Sequence, residues 1–520
     1  MTTLHNGIEL PNSWPPTTMD NNCREPMPVP YLRQPPAVIP IDLGRQLLVD
    51  DFLIEKTSLA RVFHQPRKHE ANPIFKPETA IEANPKINPC ATPKGGGVWR
   101  DDRDGLFKMW YEAGWLNVMA LAISQDGIHW ERPDWGVVPG TNQILPSKYP
   151  PDSNTVWIDE TPGEELARYK MFFREPDKTP ATPEATYAPA ALLMTSPDGI
   201  HWSEPVLTGP TGDRSTCFYD PFRKKWVFSL RSSCRHGRCR SYWESDDFLA
   251  GGAWREGEPL AWVKADNLDQ SGLTPPQLYN LDAVAYESLM LGMFEIHKGP
   301  PNEVCEQQGL PKLVDLCVGF SRDGFHWHRP DRRPFIAAVP EEGSWERGYV
   351  QSVGGVCLVG EDEIWFYYSG FAGDPNRKAR DWKTNGMYAN GATGLATLRR
   401  DGFASMQAFT VPGELTTRPL QFSGDTLWVN ADASHGQLTV ECLDEQGEVM
   451  EQWAAANCIP VQEDKTRIRI HWESQEKLPP PTGKPVRFRF HLSSGALYAF
   501  WVTSDPEGES GGYVGAGKLD

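Results

Sequence analysis

Two aspartates, Asp152 and Asp213, each stand four residues ahead of an apolar position in a strand-like run, Val156 in SNTVWI and Cys217 in RSTCFYD. The same offset ahead of Val284 gives Asn280, and Asp282 follows two residues later on the same face of an extended strand. Glu82 in TAIEANP and Glu346 in GSWERGY lie in loops that feed the runs GGGVW and GGVCL. Arg214 follows Asp213 and can hold its carboxylate ionised, whereas Trp345 precedes Glu346 and can desolvate it, raising its pKa. A carboxyl kept protonated near one kept ionised is what glycosidic bond cleavage uses: one releases the leaving oxygen, the other acts as nucleophile or as base toward water. Asp213, Asp282 and Glu346 are the expected acid and base, with Asp152 and Glu82 in support. The alternative for each is a turn cap or an outward loop acid.

Further residue types suit sugar binding. Trp115 and Trp382 fall in inter-strand loops and can stack on a sugar ring or cap a sheet. His64 in ARVFHQPRKH can bond a hydroxyl, although a lone His is more often a packing residue. Asp51, one of an adjacent pair in LLVDDFLIE, can approach the site only if Asp50 points away. The run Arg231 to Arg240, RSSCRHGRCR, places four Arg, Arg235 among them, and a His in ten residues of an acidic chain. Guanidinium forks match carboxylate or sulfate, so this loop can select an acidic sugar; the alternative is a solvated loop paired with surface acids.

The elements that position these groups are repeated. Five segments share the plan of an apolar strand, a short polar turn and an aromatic-rich strand, and aligned on Val98, Val156, Cys217, Val284 and Val356 they step by 58, 61, 67 and 72 residues. Three carry a common turn signature: SQDGIHWERP, SPDGIHWSEP and SRDGFHWHRP; the fifth keeps Arg400-Asp401-Gly402-Phe403. In such turns Asp bonds the backbone ahead of it while Gly takes positive φ, so these aspartates are structural. Glu287, at a hairpin turn, reads the same way. The pattern predicts an all-β chain: a five-bladed β-propeller over residues 46–408, with the first strand of each blade lining a funnel, then a β-sandwich over 409–520. Residues 1–45, with nine prolines between 11 and 40, predict an extended strap.

Composition narrows the class. A formal charge of −18 repels phosphate backbones and anionic membranes, so no nucleic acid or membrane partner is expected. No apolar run reaches the roughly 18 residues of a membrane span, and TTLHNGIELPNSWPP lacks the features of a secretory signal, which predicts a cytoplasmic protein. Ten cysteines without a CxxC pair read as reduced thiols, with no metal site expected. Aromatics, with 20 Trp among them, make up 11% of the chain, a content suited to sheet cores and sugar platforms.

The phrases LLVDDFLIE, NPIFKP, FKMWYEAG, SxDGxHW and GELTTRPLQFSGDTLWVNADA resemble a group of bacterial proteins labelled family 32-like glycoside hydrolases. The propeller alone is also similar to families 43, 117 and 130. The family 32 nucleophile motif Asn-Asp-Pro-Asn is replaced here by NPKINPCATPKGGG, and its Arg-Asp-Pro by Gly212-Asp213-Arg214. The resemblance therefore implies a sugar-cleaving propeller, and not an invertase or levanase. The expectation is an exo-acting glycoside hydrolase taking an oligosaccharide, without an organic cofactor, in a homodimer. A phosphate-dependent phosphorylase and a catalytically silent carbohydrate-binding propeller are the alternatives.

Overall fold

The computed structural model describes residues 2–17, 19–174, 190–473, 475–479 and 484–519. The described chain is dominated by antiparallel strands in small sheets. Each alignment anchor falls in the opening strand of its repeat: Val98–Asp101, Ser153–Ile158, Thr216–Asp220, Gln277–Glu287 and Gly348–Val359. In the second and third sheets, four strands follow one another in chain order. The five opening strands also touch in sequence, and Gly348–Val359 returns to contact Val98–Asp101. This approach is close: a Cβ on Gly354 would lie 3.1 Å from the Cα of Gly96.

The Asp-Gly turns form as their chemistry predicts. In each of the three complete signatures an aspartate Oδ1 accepts the backbone N–H groups two and three residues on, at 2.8–3.0 Å. Its Oδ2 meets the imidazole Nδ1 of the signature histidine, at 2.7 Å for Asp126–His129 and Asp323–His326 and 2.8 Å for Asp198–His201. These turns lie at the exit end of the opening strands. There too the segment Tyr513–Val514 pairs with Tyr286 and Glu287, and Lys518–Leu519 pairs with Leu358 and Val359. Glu287 is buried and structural, bonded by Arg400, Ser510 and the backbone N–H of Arg45.

Strand pairing departs from the sequence-based boundaries at residues 46 and 408. Two sheets share a single C-terminal core. One holds Thr426–Asp432, Asp464–Arg469 and Gly495–Thr503, and recruits Ala404–Ala408, Ala60–Phe63 and Gln46–Leu47; the other recruits Ile54–Thr57 beside Gly413–Thr417. In turn Arg67–Lys68 forms the outer edge of the fifth repeat's sheet. Residues 46–63 are apolar on one face and complete a core that residues 409–519 cannot cover alone. The proline-rich segment follows the seam: Leu4, Ile8, Leu10, Tyr31 and Ile39 pack into the C-terminal core, while Trp14, Met19 and Met27 pack against the fourth sheet. Among the described residues no helix is long and apolar enough to cross a membrane.

Candidate active site

Asp152 and Asp213 occupy the entry end of the second and third opening strands. Asp152 is one-fifth exposed, with Oδ2 3.0 Å from Arg174 Nη1 and Oδ1 3.6 Å from Lys94 Nζ. Asp213 is one-third exposed and lies 2.8 Å from Nη1 of Arg231, on the second strand of its own sheet. Burial works against ionisation of Asp213, but Arg231, followed by Arg174, Lys312 and Arg238, outweighs it and holds the carboxyl below the usual aspartate range. Arg174 thus acts on both aspartates. Arg214 does not curl back onto Asp213 as its adjacency suggests. Its guanidinium turns inward to Glu295 at 2.6 Å, and its neighbour's charge is held instead by a residue seventeen positions further on.

A third carboxyl stands behind this pair. Glu112, near the end of Leu106–Ala113, is fully buried, with Lys94 Nζ 3.2 Å from Oε2 and Leu116 N–H donating to Oε1. Burial pushes its pKa up to about 7 despite Lys94. Lys94 therefore bridges Glu112 and Asp152, and its ammonium lies 3.7 Å from the Trp115 ring centroid. Trp115 is not an open stacking platform: it is buried, stacked on Tyr388 at 4.4 Å. Tyr388 neighbours Tyr349, and the hydroxyls of Tyr349 and Tyr279 approach to 3.4 Å. These rings make a wall from Lys94 round to Lys312, whose Nζ is 5.4 Å from the centroids of both Tyr279 and Tyr349.

Deeper along the axis lie Asp282 and Glu295, both buried, with Asn280 donating to Asp282 at 3.0 Å and Ser352 N–H to Glu295 at 3.1 Å. Burial raises both, Glu295 to about 7. Asp282 lines a cavity of about 10 Å³ between Gly95–Gly97, Thr155 and Gly354, the space of one water. A sugar ring does not fit that cavity, so Asp282, like Glu112, is set back from open space.

The other sequence candidates are dispersed. Glu82 is buried with both oxygens satisfied by Tyr111, Arg132 and the N–H groups of Glu78 and Thr79. Glu346 pairs with Lys68 at 2.8 Å and packs on Gly370. Asp51 is exposed and pairs with Arg61 at the base of the C-terminal sheets. His64 bonds Ser405 and packs against Tyr498 there. Arg235 is exposed at the hairpin tip, its N–H bonded to Asn22. Trp382 is half exposed on the loop that also carries Tyr388. Sequence reasoning missed Glu112, Arg174 and Lys312. The signal for the first was an acid inside the apolar run FKMWYEAG, a placement that sheet packing tolerates only when the charge has a partner.

Among the described residues no group of three or more His, Cys, Asp or Glu is placed to hold a metal ion. All ten cysteines are free thiols. No family model and no curated protein matches the chain. Among solved structures it is similar to an N-acetylgalactosamine deacetylase from F. plautii, at 15% identity and TM-score 0.44 over 68% of this chain and 96% of that one. It is also similar to a putative glycoside hydrolase from Bacteroides ovatus, at 14% identity and TM-score 0.40 over 64% and 97%. A third is an exo-beta-1,3-galactanase from Phanerochaete chrysosporium, at 10% identity and TM-score 0.33 over 79% and 95%.

Proposed function

We propose that this chain is an exo-acting glycoside hydrolase, built as a five-bladed β-propeller joined to a C-terminal β-sandwich. The contacts that run round the five opening strands support the propeller, and the single core shared by two sheets supports the sandwich. The catalytic reading rests on one observation. At the entry end, carboxyls linked through Lys94, Asp152 and Arg174 are driven in opposite directions: Asp213 is kept ionised and partly exposed, while Glu112 is kept protonated near neutral pH. Divergent pKa values in one site are the mark of an acid and base pair.

In this reading Asp213 is the nucleophile or the base toward water. Glu112 supplies the proton to the leaving oxygen. Lys94 covers its Oε2 and Trp115 packs on Lys94, so the donor is uncovered when a substrate displaces them. Exo action is supported by the axis, which is closed: the glycines of the first and fifth opening strands meet, and Ala516 packs behind them. A site closed behind by the axis favours a chain terminus over the middle of a polymer. A panel of aryl glycosides and plant or algal oligosaccharides, assayed with the parent and Asp213→Asn, tests the reading. Loss of three orders of magnitude in turnover at an unchanged melting temperature is expected. Activity within about tenfold of the parent makes Asp213 structural and overturns it.

A further inference from the structure

The charges around Asp213 do not balance. Lys312 precedes the strand Val314–Ser321 and is 2% exposed; among the described residues no carboxylate or hydrogen-bond acceptor meets its amine at bonding distance, it lies over the rings of Tyr279 and Tyr349, and burial, then Arg238, depress its pKa to about 7 although Asp213 pulls the other way. Arg238, on the neighbouring strand Gly237–Ser245, lies 5.2 Å over the Tyr279 ring. It gives Nη1 to Gln277 at 2.9 Å, and its buried Nε has no hydrogen-bond partner among the described residues. Arg231 gives Nη1 to Asp213, and its Nε is likewise buried with no partner among the described residues. His297, beside them, adds no charge: burial, then Lys312 and Arg238, depress its pKa to about 3. Besides Arg174, which Asp152 also meets, three basic groups therefore converge on Asp213, and one of them is a desolvated amine. A buried cation is costly unless an anion meets it.

We propose that Lys312, Arg238 and Arg231 form a subsite for an oxyanion group held next to Asp213. Two guanidinium forks and an ammonium suit the planar or tetrahedral oxygens of a carboxylate, a sulfate ester or a phosphate. The anion is either a substituent of the sugar, making the substrate an acidic saccharide, or inorganic phosphate that takes the place of water. In the second case a phosphate oxygen bonds to the anomeric carbon as the glycosidic C–O bond breaks, and the departing alcohol takes the acid's proton. The subsite deepens the hydrolase reading by naming what lies beside the reacting carboxylate.

Calorimetry on the full chain with galacturonate, glucuronate, sulfate and phosphate, against galactose and glucose, tests it. At least one anion is expected to bind in the millimolar range or better while the neutral sugars do not. Lys312→Met and Arg238→Gln each weaken that binding tenfold or more. Lys312→Met also raises the melting temperature of the free protein, most of all below pH 7, where the buried amine carries its charge. Asp213→Asn tightens anion binding several-fold by removing a like charge. Anions that bind no better than the neutral sugars, or binding that Lys312→Met and Arg238→Gln leave unchanged, overturn the subsite. Turnover that depends on added phosphate and yields a sugar phosphate assigns the anion to phosphate; phosphate-independent cleavage that prefers uronides or sulfated glycosides assigns it to the sugar. Anion binding without turnover on any glycoside overturns the hydrolase reading and leaves the subsite standing, whereas Asp213-dependent turnover without anion binding does the reverse.

Discussion

The two ends of the opening strands treat the same side chain in opposite ways. At the exit end Asp126, Asp198 and Asp323 spend every lone pair locally, on two backbone N–H groups, a serine hydroxyl and an imidazole. At the entry end Asp213 is one-third exposed with a guanidinium on one oxygen, and several basic groups surround it. A carboxylate whose bonds are all made inside its own turn holds the chain; one whose partners are long, cationic and incompletely bonded is prepared to meet something else. Burial alone does not separate the two, because Asp323 is more buried than Asp213.

Substitution at matched positions breaks this contrast or sharpens it. The largest effect is expected at Asp213, where Asn lowers kcat/KM about a thousandfold, roughly 4 kcal/mol of barrier, with the melting temperature within a degree or two of the parent. Asp323→Ala gives the reverse signature, a loss of about 3 kcal/mol in stability measured by urea unfolding, because buried N–H groups and His326 lose their acceptor. The half-exposed counterpart Asp126→Ala costs about 1 kcal/mol, since water replaces its bonds. Equal losses at the two turns remove burial as the cause.

Glu112 gives a pH-dependent effect. Its folded pKa is raised from 4.5 to about 7, so between those values the native state holds a proton that the unfolded chain releases, and the parent loses stability as pH rises through this window. Glu112→Gln lacks that loss. The melting temperature of the variant relative to the parent should climb from pH 4.5 to 7 and then level off, by an amount corresponding to at most about 3 kcal/mol. The same variant should slow substrates with poor leaving groups far more than activated aryl glycosides, which need no protonation. The smallest effect is expected at Trp382, where Ala raises KM a few-fold, about 1 kcal/mol, without changing kcat or the melting temperature.

The repeat plan was legible because its signals are local. Asp-Gly turns and aromatic strands recur within each unit, and every anchor residue lies in an opening strand. Asp152 and Asp213 were found by the same periodicity. What local pattern cannot show is which distant cation meets which acid. Glu82 and Glu346 have similar loop contexts, but Tyr111 and Arg132 satisfy one and Lys68 the other. Trp115, open in the sequence to either a stacking platform or a sheet cap, is covered by Tyr388, more than 270 positions later. Residues 46–63 were assigned to the repeats because they precede them, although their strand partners lie beyond residue 403.

The pairing of Tyr513–Val514 and Lys518–Leu519 with the fourth and fifth opening strands has a consequence for synthesis. A ribosome releases the five repeats long before the segment that closes their exit end, and Arg67 waits for Thr397 in the same way at the outer edge. Contacts of such sequence separation make the final search slow, so the nascent chain passes through a stage in which most sheets exist but two innermost strands still present free edges. Chaperone dependence and aggregation during expression should therefore concentrate at that stage, and a bulky tag fused directly after Asp520 should prolong it.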